Sequence, residues 1–213
     1  MNFRLADIEG ISLEEKIVKK ITLLLLFLFF ATISNQRPAM AWLFQSAEEK
    51  LKVAEVMYEE RDRPLRAQVL LDEARRIYEK DGDILGIAHV NRAYAYFFKS
   101  KAVERWSKME FDDKTVNHSN RFQKAIEYLE KALNVYEEKD LYAYASNVHF
   151  NMAVIYSDKL NNNEMACRHL EDSLRNHIKY NESNLNEGKV ELLRGYDSFQ
   201  EIIDKAKIEA NCN

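Results

Sequence analysis

Residues 132–156 read ALNVYEEKDLYAYASNVHFNMAVIY, and this stretch decides the fold. Apolar residues recur in it every three or four positions, apart from one break at Lys139-Asp140. That spacing predicts two amphipathic helices joined by a tight turn. The stretch 74–98, ARRIYEKDGDILGIAHVNRAYAYFF, has the same layout around Asp81-Gly82-Asp83. We therefore expect a chain built from helix pairs.

A pattern of small and large apolar residues accompanies these pairs and occurs three times. It reads Ala67-x3-Leu71-x2-Ala74, Ala125-x3-Leu129-x2-Ala132 and Ala166-x3-Leu170-x2-Ser173, with Tyr58, Tyr96 and Tyr156 in the preceding helices. Small residues along one stripe of a helix let a neighbouring helix approach closely. Recurrence of one helix-pair unit along the chain indicates a stacked array of repeats.

Glycine and proline, the residues that break helices, are scarce: the 213 residues include 5 Gly and 2 Pro. The glycines match neither the spacing of a phosphate-binding loop nor that of a serine-hydrolase elbow. A net charge of -4 and the lack of a sustained Lys/Arg run argue against nucleic acid binding. The composition thus predicts an all-α protein.

The repeated pattern resembles the tetratricopeptide repeat, whose signature runs Leu-Gly-x2-Tyr, then Ala-x3-Phe, then Ala. The resemblance covers residues 42–213 and implies a right-handed α-solenoid of about three antiparallel helix-pair repeats. A closing helix from about Leu185 to Glu209 is expected to cap the array. The sequence departs from the signature at its Gly positions, where Glu55, Ala93 and Ala153 stand.

The second pair carries an insertion at about 99–119. Within it Val103, Trp106 and Met109 continue a helical stripe, so we expect the first helix of that pair to run on by several turns. The stripe is then either covered by Phe122 and the following loop or exposed as a docking patch.

The resemblance also implies a concave groove, lined by the first helix of each pair, that binds a peptide or helix of a partner protein. Aligning Ala93 and Ala153 with the repeat's Gly places Asn91 and Asn151 in that groove. An asparagine side chain can donate to and accept from a peptide main chain. The predicted partner-binding residues are Lys52, Asn91, Tyr94, Phe97, Trp106, Asn147, Phe150 and Asn151.

One subgroup of the family clamps a partner's C-terminal carboxylate with Lys, Asn and Arg side chains. Lys52 and Asn91 match that clamp, but Val56, Asn147 and Asn151 stand at its other positions. We therefore do not expect this chain to recognise a C-terminal carboxylate in the way that subgroup does. An equally good alternative to exposure in the groove is packing between helix pairs, and it applies to Tyr94, Phe97 and Phe98.

The N-terminal segment 1–41 has the layout of a secretory signal. Lysines precede the uncharged stretch 21–33, ITLLLLFLFFATI, and Ala39-Met40-Ala41 follows as a cleavage site. As a helix the stretch spans about 20 Å, short of the ~30 Å hydrocarbon core of a bilayer. We expect cleavage after Ala41 and an exported, periplasmic domain at 42–213 without membrane insertion. An uncleaved N-terminal membrane anchor, or a cytoplasmic product starting at Met40, remains the alternative.

The sequence offers no set of catalytic residues, so no enzymatic activity is expected, and no cofactor. Its five histidines lack paired-ligand spacing, and Cys167 and His169 would point to different faces of a helix, so no metal site is predicted. With a turn near Glu182, Cys167 would lie level with Ser198, about 20 Å from Cys212. The two cysteines are thus expected to stay unpaired, with an intermolecular bond through Cys212 left open.

These patterns together predict a non-enzymatic, exported protein–protein interaction scaffold. The alternative is a self-associating repeat protein, a homo-oligomer without a separate ligand.

Overall fold

Residues 45–183 and 195–212 are described by the structure, a computed structural model, and they form eight α-helices and no β-strand. The helices are α1 (Ala47–Glu59), α2 (Pro64–Asp81), α3 (Ile84–Lys99), α4 (Lys101–Arg105), α5 (Arg121–Glu138), α6 (Tyr142–Asp158), α7 (Asn163–Glu182) and α8 (Phe199–Glu209). The expected all-α class is confirmed. The predicted signal peptide and residues 184–194 lie outside the described residues. No helix within the described part combines the length and the apolar character that crossing a bilayer requires.

The ends of the helices follow from local sequence. Ser46 and Glu49 form a reciprocal capping box at the start of α1, and Pro64 occupies the first turn of α2. Asp83 accepts a hydrogen bond from the Gly86 backbone N–H (2.9 Å) at the start of α3. Gly82, with a φ of 67°, ends α2 in the left-handed conformation that glycine adopts without steric cost.

The other tight turns use Asp or Asn in the same conformation. Asp62 follows α1, Asp140 lies between α5 and α6, and Asn161 lies between α6 and α7, with φ values of 52°, 55° and 51°. Short polar side chains tolerate this region better than other L-residues. The helix break predicted at Lys139-Asp140 is confirmed.

The repeated small–large pattern forms the buried stripe of α2, α5 and α7. Its members are at most 2% exposed: Ala67, Leu71, Ala74, Ala125, Leu129, Ala132, Ala166, Leu170 and Ser173. α1 packs on α2, α3 on α5 and α6 on α7, and α2–α3 and α5–α6 are also in contact. Because short turns join α1 to α2 and α6 to α7, the two helices of each of these pairs run antiparallel.

The insertion differs from its predicted form. α3 ends at Lys99 because Ser100 turns extended (φ -65°, ψ 150°) and caps the separate five-residue helix α4. Val103 is fully buried whereas Trp106 is 44% exposed, so the two do not share one surface. The predicted continuation of the first helix is therefore wrong. Phe111 anchors the loop that follows, packing edge-on against Phe98 with ring centroids 5.5 Å apart.

The C-terminal helix also differs, and the expectation for the cysteines is wrong. Cys167 and Cys212 form a disulfide, with Cα atoms 5.6 Å apart. α8 begins only at Phe199, after a Ser198 cap, so its last turn lies beside the first turn of α7. The Cys212 backbone N–H donates to the Lys207 carbonyl (2.9 Å), which folds the tail back toward Cys167.

Candidate partner-binding groove

A groove of about 500 Å³ opens between α1 and α3. Tyr78 of α2 and Tyr144 of α6 complete its wall. α1 contributes Glu48, Leu51, Lys52, Glu55 and Tyr58, and α3 contributes His89, Arg92, Ala93 and Tyr96. Basic, acidic and aromatic side chains thus meet in one concave surface.

Arg92 is the central charged group of this groove. Its side chain is half-buried, and the guanidinium carbon lies 4.9 Å from the centroid of the Tyr144 ring and 6.0 Å from that of Tyr96. Aromatic faces attract a cation at such distances. Within residues 45–183 and 195–212, no carboxylate lies within 4 Å of Arg92 and none of its N–H groups has a hydrogen-bond acceptor. The guanidinium therefore lies over two aromatic rings, and its N–H donors have no acceptor among the described residues.

A second cation, Lys99, also lies near the Tyr96 ring. The Lys99 ammonium is 5.0 Å from the Tyr96 ring centroid and donates to the Asn151 side-chain oxygen. Asn151 in turn donates to the Tyr96 hydroxyl (3.1 Å). Burial lowers the pKa of Lys99. The hydrogen bond from Asn151 therefore helps to position Tyr96, whose ring is within 6.0 Å of two cations.

His89 lines the groove as a neutral group. Its Nδ1 lies 2.8 Å from the Tyr136 hydroxyl, and its ring is 5.1 Å from that of Tyr144. Burial first, and then the nearby Arg92 charge, lower the His89 pKa to about 4. At neutral pH, Arg92 and not His89 therefore carries the positive charge that α3 contributes to the groove lining.

The predicted binding residues are distributed over several surfaces. Lys52 lines the groove and forms an exposed pair with Glu48 (2.6 Å). Asn151 lies beside the groove through Tyr96, and its amide also donates to the Asn147 carbonyl (2.8 Å). These three predicted residues are close to the groove, on α1 and α6.

Asn91 does not line the groove, and that part of the prediction is wrong. It is 8% exposed, and its side-chain oxygen accepts from Arg75 Nη2 (3.2 Å). Its neighbour Arg92 lines the groove instead. The sequence signal that could have identified Arg92 is its i, i+4 spacing to Tyr96.

The remaining predicted residues belong to the interior or to other surfaces. Tyr94 is buried and donates its hydroxyl hydrogen to Asp72, and Phe97 is fully buried. Phe150 packs on Phe199, with ring centroids 6.4 Å apart. For Tyr94 and Phe97 the packing alternative is confirmed, and Trp106 lies on a separate surface.

A second cavity, of about 510 Å³, lies between α2, α3, α5 and the insertion. Arg75 spans it, with its guanidinium 4.8 Å from the Tyr94 ring and 5.4 Å from the Tyr128 ring. Burial, together with the neighbouring Asp112 carboxyl, raises the pKa of Asp72 to about 6. Because Arg75, Asp72 and Tyr94 already bind neighbouring groups, this cavity is better suited to holding the insertion than to binding a partner.

The chain matches no protein-family model, no curated protein and no solved structure.

Proposed function

We propose that this protein is an exported, non-enzymatic scaffold that binds a peptide or helix of a partner protein in the groove between α1 and α3. In this proposal the helix pairs are tetratricopeptide-like repeats stacked into a right-handed α-solenoid. The proposal rests mainly on Arg92, whose guanidinium lies near the Tyr96 and Tyr144 rings and has no hydrogen-bond acceptor among the described residues. A rigid groove loses little conformational entropy on binding, which favours affinity.

The chemistry of the groove favours an acidic segment in the partner. A guanidinium binds a carboxylate through two parallel N–H···O bonds, and this geometry is specific as well as strong. Lys52 lies in the same groove, where it pairs with Glu48, and the Lys99 ammonium lies 5.0 Å from the Tyr96 ring centroid. Leu51, Ala93 and the tyrosine rings supply apolar contact around the charge. An acidic side chain flanked by apolar residues fits this surface.

Two observations support export. The segment 1–41 has the layout of a secretory signal. The disulfide between Cys167 and Cys212 is the second, because disulfides persist in oxidising compartments such as the periplasm. The signal-like layout is a property of the sequence and the disulfide is a property of the fold, so the two observations are independent.

The matched pair Arg92→Gln and Asn91→Ala tests the groove. The two residues are adjacent on α3, but Arg92 lines the groove and Asn91 is buried against Arg75. The tagged full chain and each variant are used to capture partners from an extract of the protein's own cells, and bound protein is quantified by mass spectrometry. We expect Arg92→Gln to reduce the main partner at least about tenfold, the effect of losing a charge-assisted pair. Asn91→Ala is expected to retain it.

Retention of that partner by Arg92→Gln would contradict the proposal. Loss with Trp106→Ala and not with Arg92→Gln would move the binding surface to the insertion.

Self-association is the second candidate, and an exposed apolar patch favours it. Leu65 and Val69 lie one turn apart on α2 and are 50% and 42% exposed, and Leu65 shares a surface pocket with Trp106. Analytical ultracentrifugation of the full chain and of a Leu65→Lys variant tests this candidate. A dimer that Leu65→Lys dissociates would support it, and a monomer at all concentrations would contradict it.

A further inference from the structure

Two histidines from neighbouring helices meet on the side of α6 that faces α7. His149 of α6 is 5% exposed, and its Nδ1 lies 2.9 Å from Nδ1 of His169 of α7. One of these nitrogens must carry hydrogen and the other a lone pair, because two lone pairs or two N–H groups would repel each other. The ring of His169 is held from behind by Tyr156, whose plane is inclined to it by only 6°.

A carboxylate completes the cluster. Asp172 follows His169 by three positions on α7, so both side chains lie on the same face of the helix. One ligand atom from each of His149, His169 and Asp172 lies within 4.8 Å of the other two. The three residues come from two helices, which is why no paired spacing announces them in the sequence.

Groups around the cluster orient the histidines. Glu137 of α5 places a carboxylate oxygen 3.5 Å from His149 Nε2, on the side of the ring away from His169. A carboxylate that accepts from the outer N–H of a histidine fixes the tautomer whose other nitrogen binds a metal. Asp172 forms an ion pair with Arg175, whose Nη2 lies 2.6 Å from Oδ1. His169 Nε2 is buried without a hydrogen-bond partner among the described residues.

We propose that His149, His169 and Asp172 form a binding site for a divalent transition-metal ion, with Zn²⁺ as the preferred ion, and that Glu137 orients His149. Zn²⁺ binds imidazole nitrogen at about 2.0–2.1 Å and carboxylate oxygen at about 2.0–2.2 Å, so ligand atoms in a tetrahedral site lie about 3.3 Å apart. The two Nδ1 atoms have to separate by about 0.4 Å to reach that geometry, and Asp172 has to swing inward. Side-chain rotation supplies both changes.

The donor set determines the class of ion. Two imidazoles and one carboxylate suit Zn²⁺, Cu²⁺ or Ni²⁺ rather than Mg²⁺ or Ca²⁺, which prefer oxygen ligands throughout. Three protein ligands leave a fourth tetrahedral position for water or for a ligand from another molecule. The site joins α6 to α7, so an ion bound there would also fix this helix pair.

Isothermal titration calorimetry of Zn²⁺ binding to the full chain tests the site. The protein is freed of metal by a chelator and carries no histidine tag. No reductant is added, so that Cys167 and Cys212 stay in their disulfide and supply no thiolate ligand. We expect one Zn²⁺ per chain, and a weakening of about 100-fold or more in His169→Gln or Asp172→Asn. Glu137→Gln is expected to weaken binding by about 10–100-fold.

The control is His118→Gln, because His118 lies in the insertion loop and contacts Glu104 and Arg121 instead. Circular dichroism verifies that each variant keeps its helix content. Asp172 is only partly buried, so Asp172→Asn keeps the test informative if His169→Gln unfolds. Failure of the full chain to bind Zn²⁺, or equal affinity in the His118 and Asp172 variants, would overturn the proposal.

Discussion

Asp72 is a carboxyl group whose surroundings favour its protonated form. It is half-buried under the insertion, where Tyr94 donates to it and Asp112 lies next to it. Burial is the larger cause of its raised pKa, and the neighbouring carboxyl adds to it. A group with a pKa near 6 in the folded state and about 4 in the unfolded state binds more protons when folded. Its contribution to stability is therefore present below pH 4 and is lost as the pH rises to 6.

We expect Asp72→Asn to stabilise the protein above pH 6 and to have little benefit at pH 4. The amide keeps an oxygen that accepts from Tyr94 but carries no charge to desolvate. The gain at pH 7.5 relative to pH 4 should be on the order of 1 kcal/mol, because solvent screens a half-exposed group. Urea unfolding of both proteins at the two pH values measures it. An equal difference at both pH values would show that Asp72 ionises as an ordinary aspartate.

Gly86 sets the distance between α2 and α3. A Cβ atom at this position would lie 2.1 Å from Tyr78 Cδ1 and 2.5 Å from Cγ, well inside van der Waals contact. Cγ is close to the backbone of Tyr78, so the ring cannot move away freely. The glycine therefore lets α3 cross the Tyr78 ring, and that ring forms part of the groove wall.

We expect Gly86→Ala to destabilise the protein by about 1–3 kcal/mol through overpacking. In a Tyr78→Ala background the same change should cost little, since the obstructing ring is absent. Urea unfolding of the four proteins gives the coupling energy. Additive effects of the two substitutions would contradict the close contact. Gly82→Ala is a useful comparison, because only its positive φ penalises it.

The insertion is fixed by Phe111 rather than by Trp106. Phe111 is 3% exposed and packs against Phe97 and Phe98, whereas Trp106 is 44% exposed. We expect Phe111→Ala to cost about 3–5 kcal/mol and Trp106→Ala less than about 1 kcal/mol. Thermal and urea unfolding check both values. Equal losses would mean that Trp106 is covered in solution, which would also remove it from the candidate interaction surfaces.

The helices and their buried stripes could be predicted from the sequence, because both depend on local spacing. Ala67, Leu71 and their equivalents are buried as expected. The orientation of α3 could not be predicted to one residue: Asn91 and Arg92 are about 100° apart around the helix. Only packing against α2, where Arg75 binds Asn91, decides which of the two faces the groove.

Contacts between residues that are far apart in the chain could not be predicted from the sequence either. The histidine cluster is formed by two helices, and its members are 20 residues apart in the chain. The disulfide depended on where the closing helix begins. A helix that began at Leu185 would hold Cys212 too far from Cys167 for a disulfide. In the structure the helix begins at Phe199, and the two cysteines are bonded.

At the scale of the whole molecule, the disulfide fastens the C-terminal helix to the rest of the fold. It joins residues 45 positions apart and holds α8 across α7. Closing a loop of that length lowers the entropy of the unfolded chain by an amount equivalent to about 4 kcal/mol at 25 °C. We expect the double variant Cys167→Ser, Cys212→Ser to lose about 2–4 kcal/mol of unfolding free energy in the absence of reductant. Adding dithiothreitol should then destabilise the wild type and leave the variant unchanged, and a variant as stable as the oxidised wild type would contradict this role.

Site-specific photocrosslinking in living cells can show whether a partner binds in the groove beside Arg92. A photoreactive amino acid replaces Ala93, which lines the groove, or Arg76, which is exposed on α2 outside it. We expect one partner to crosslink at position 93 and not at position 76, and we expect Arg92→Gln to abolish this product. Crosslinking at position 76 alone, or at position 93 regardless of Arg92, would contradict this expectation.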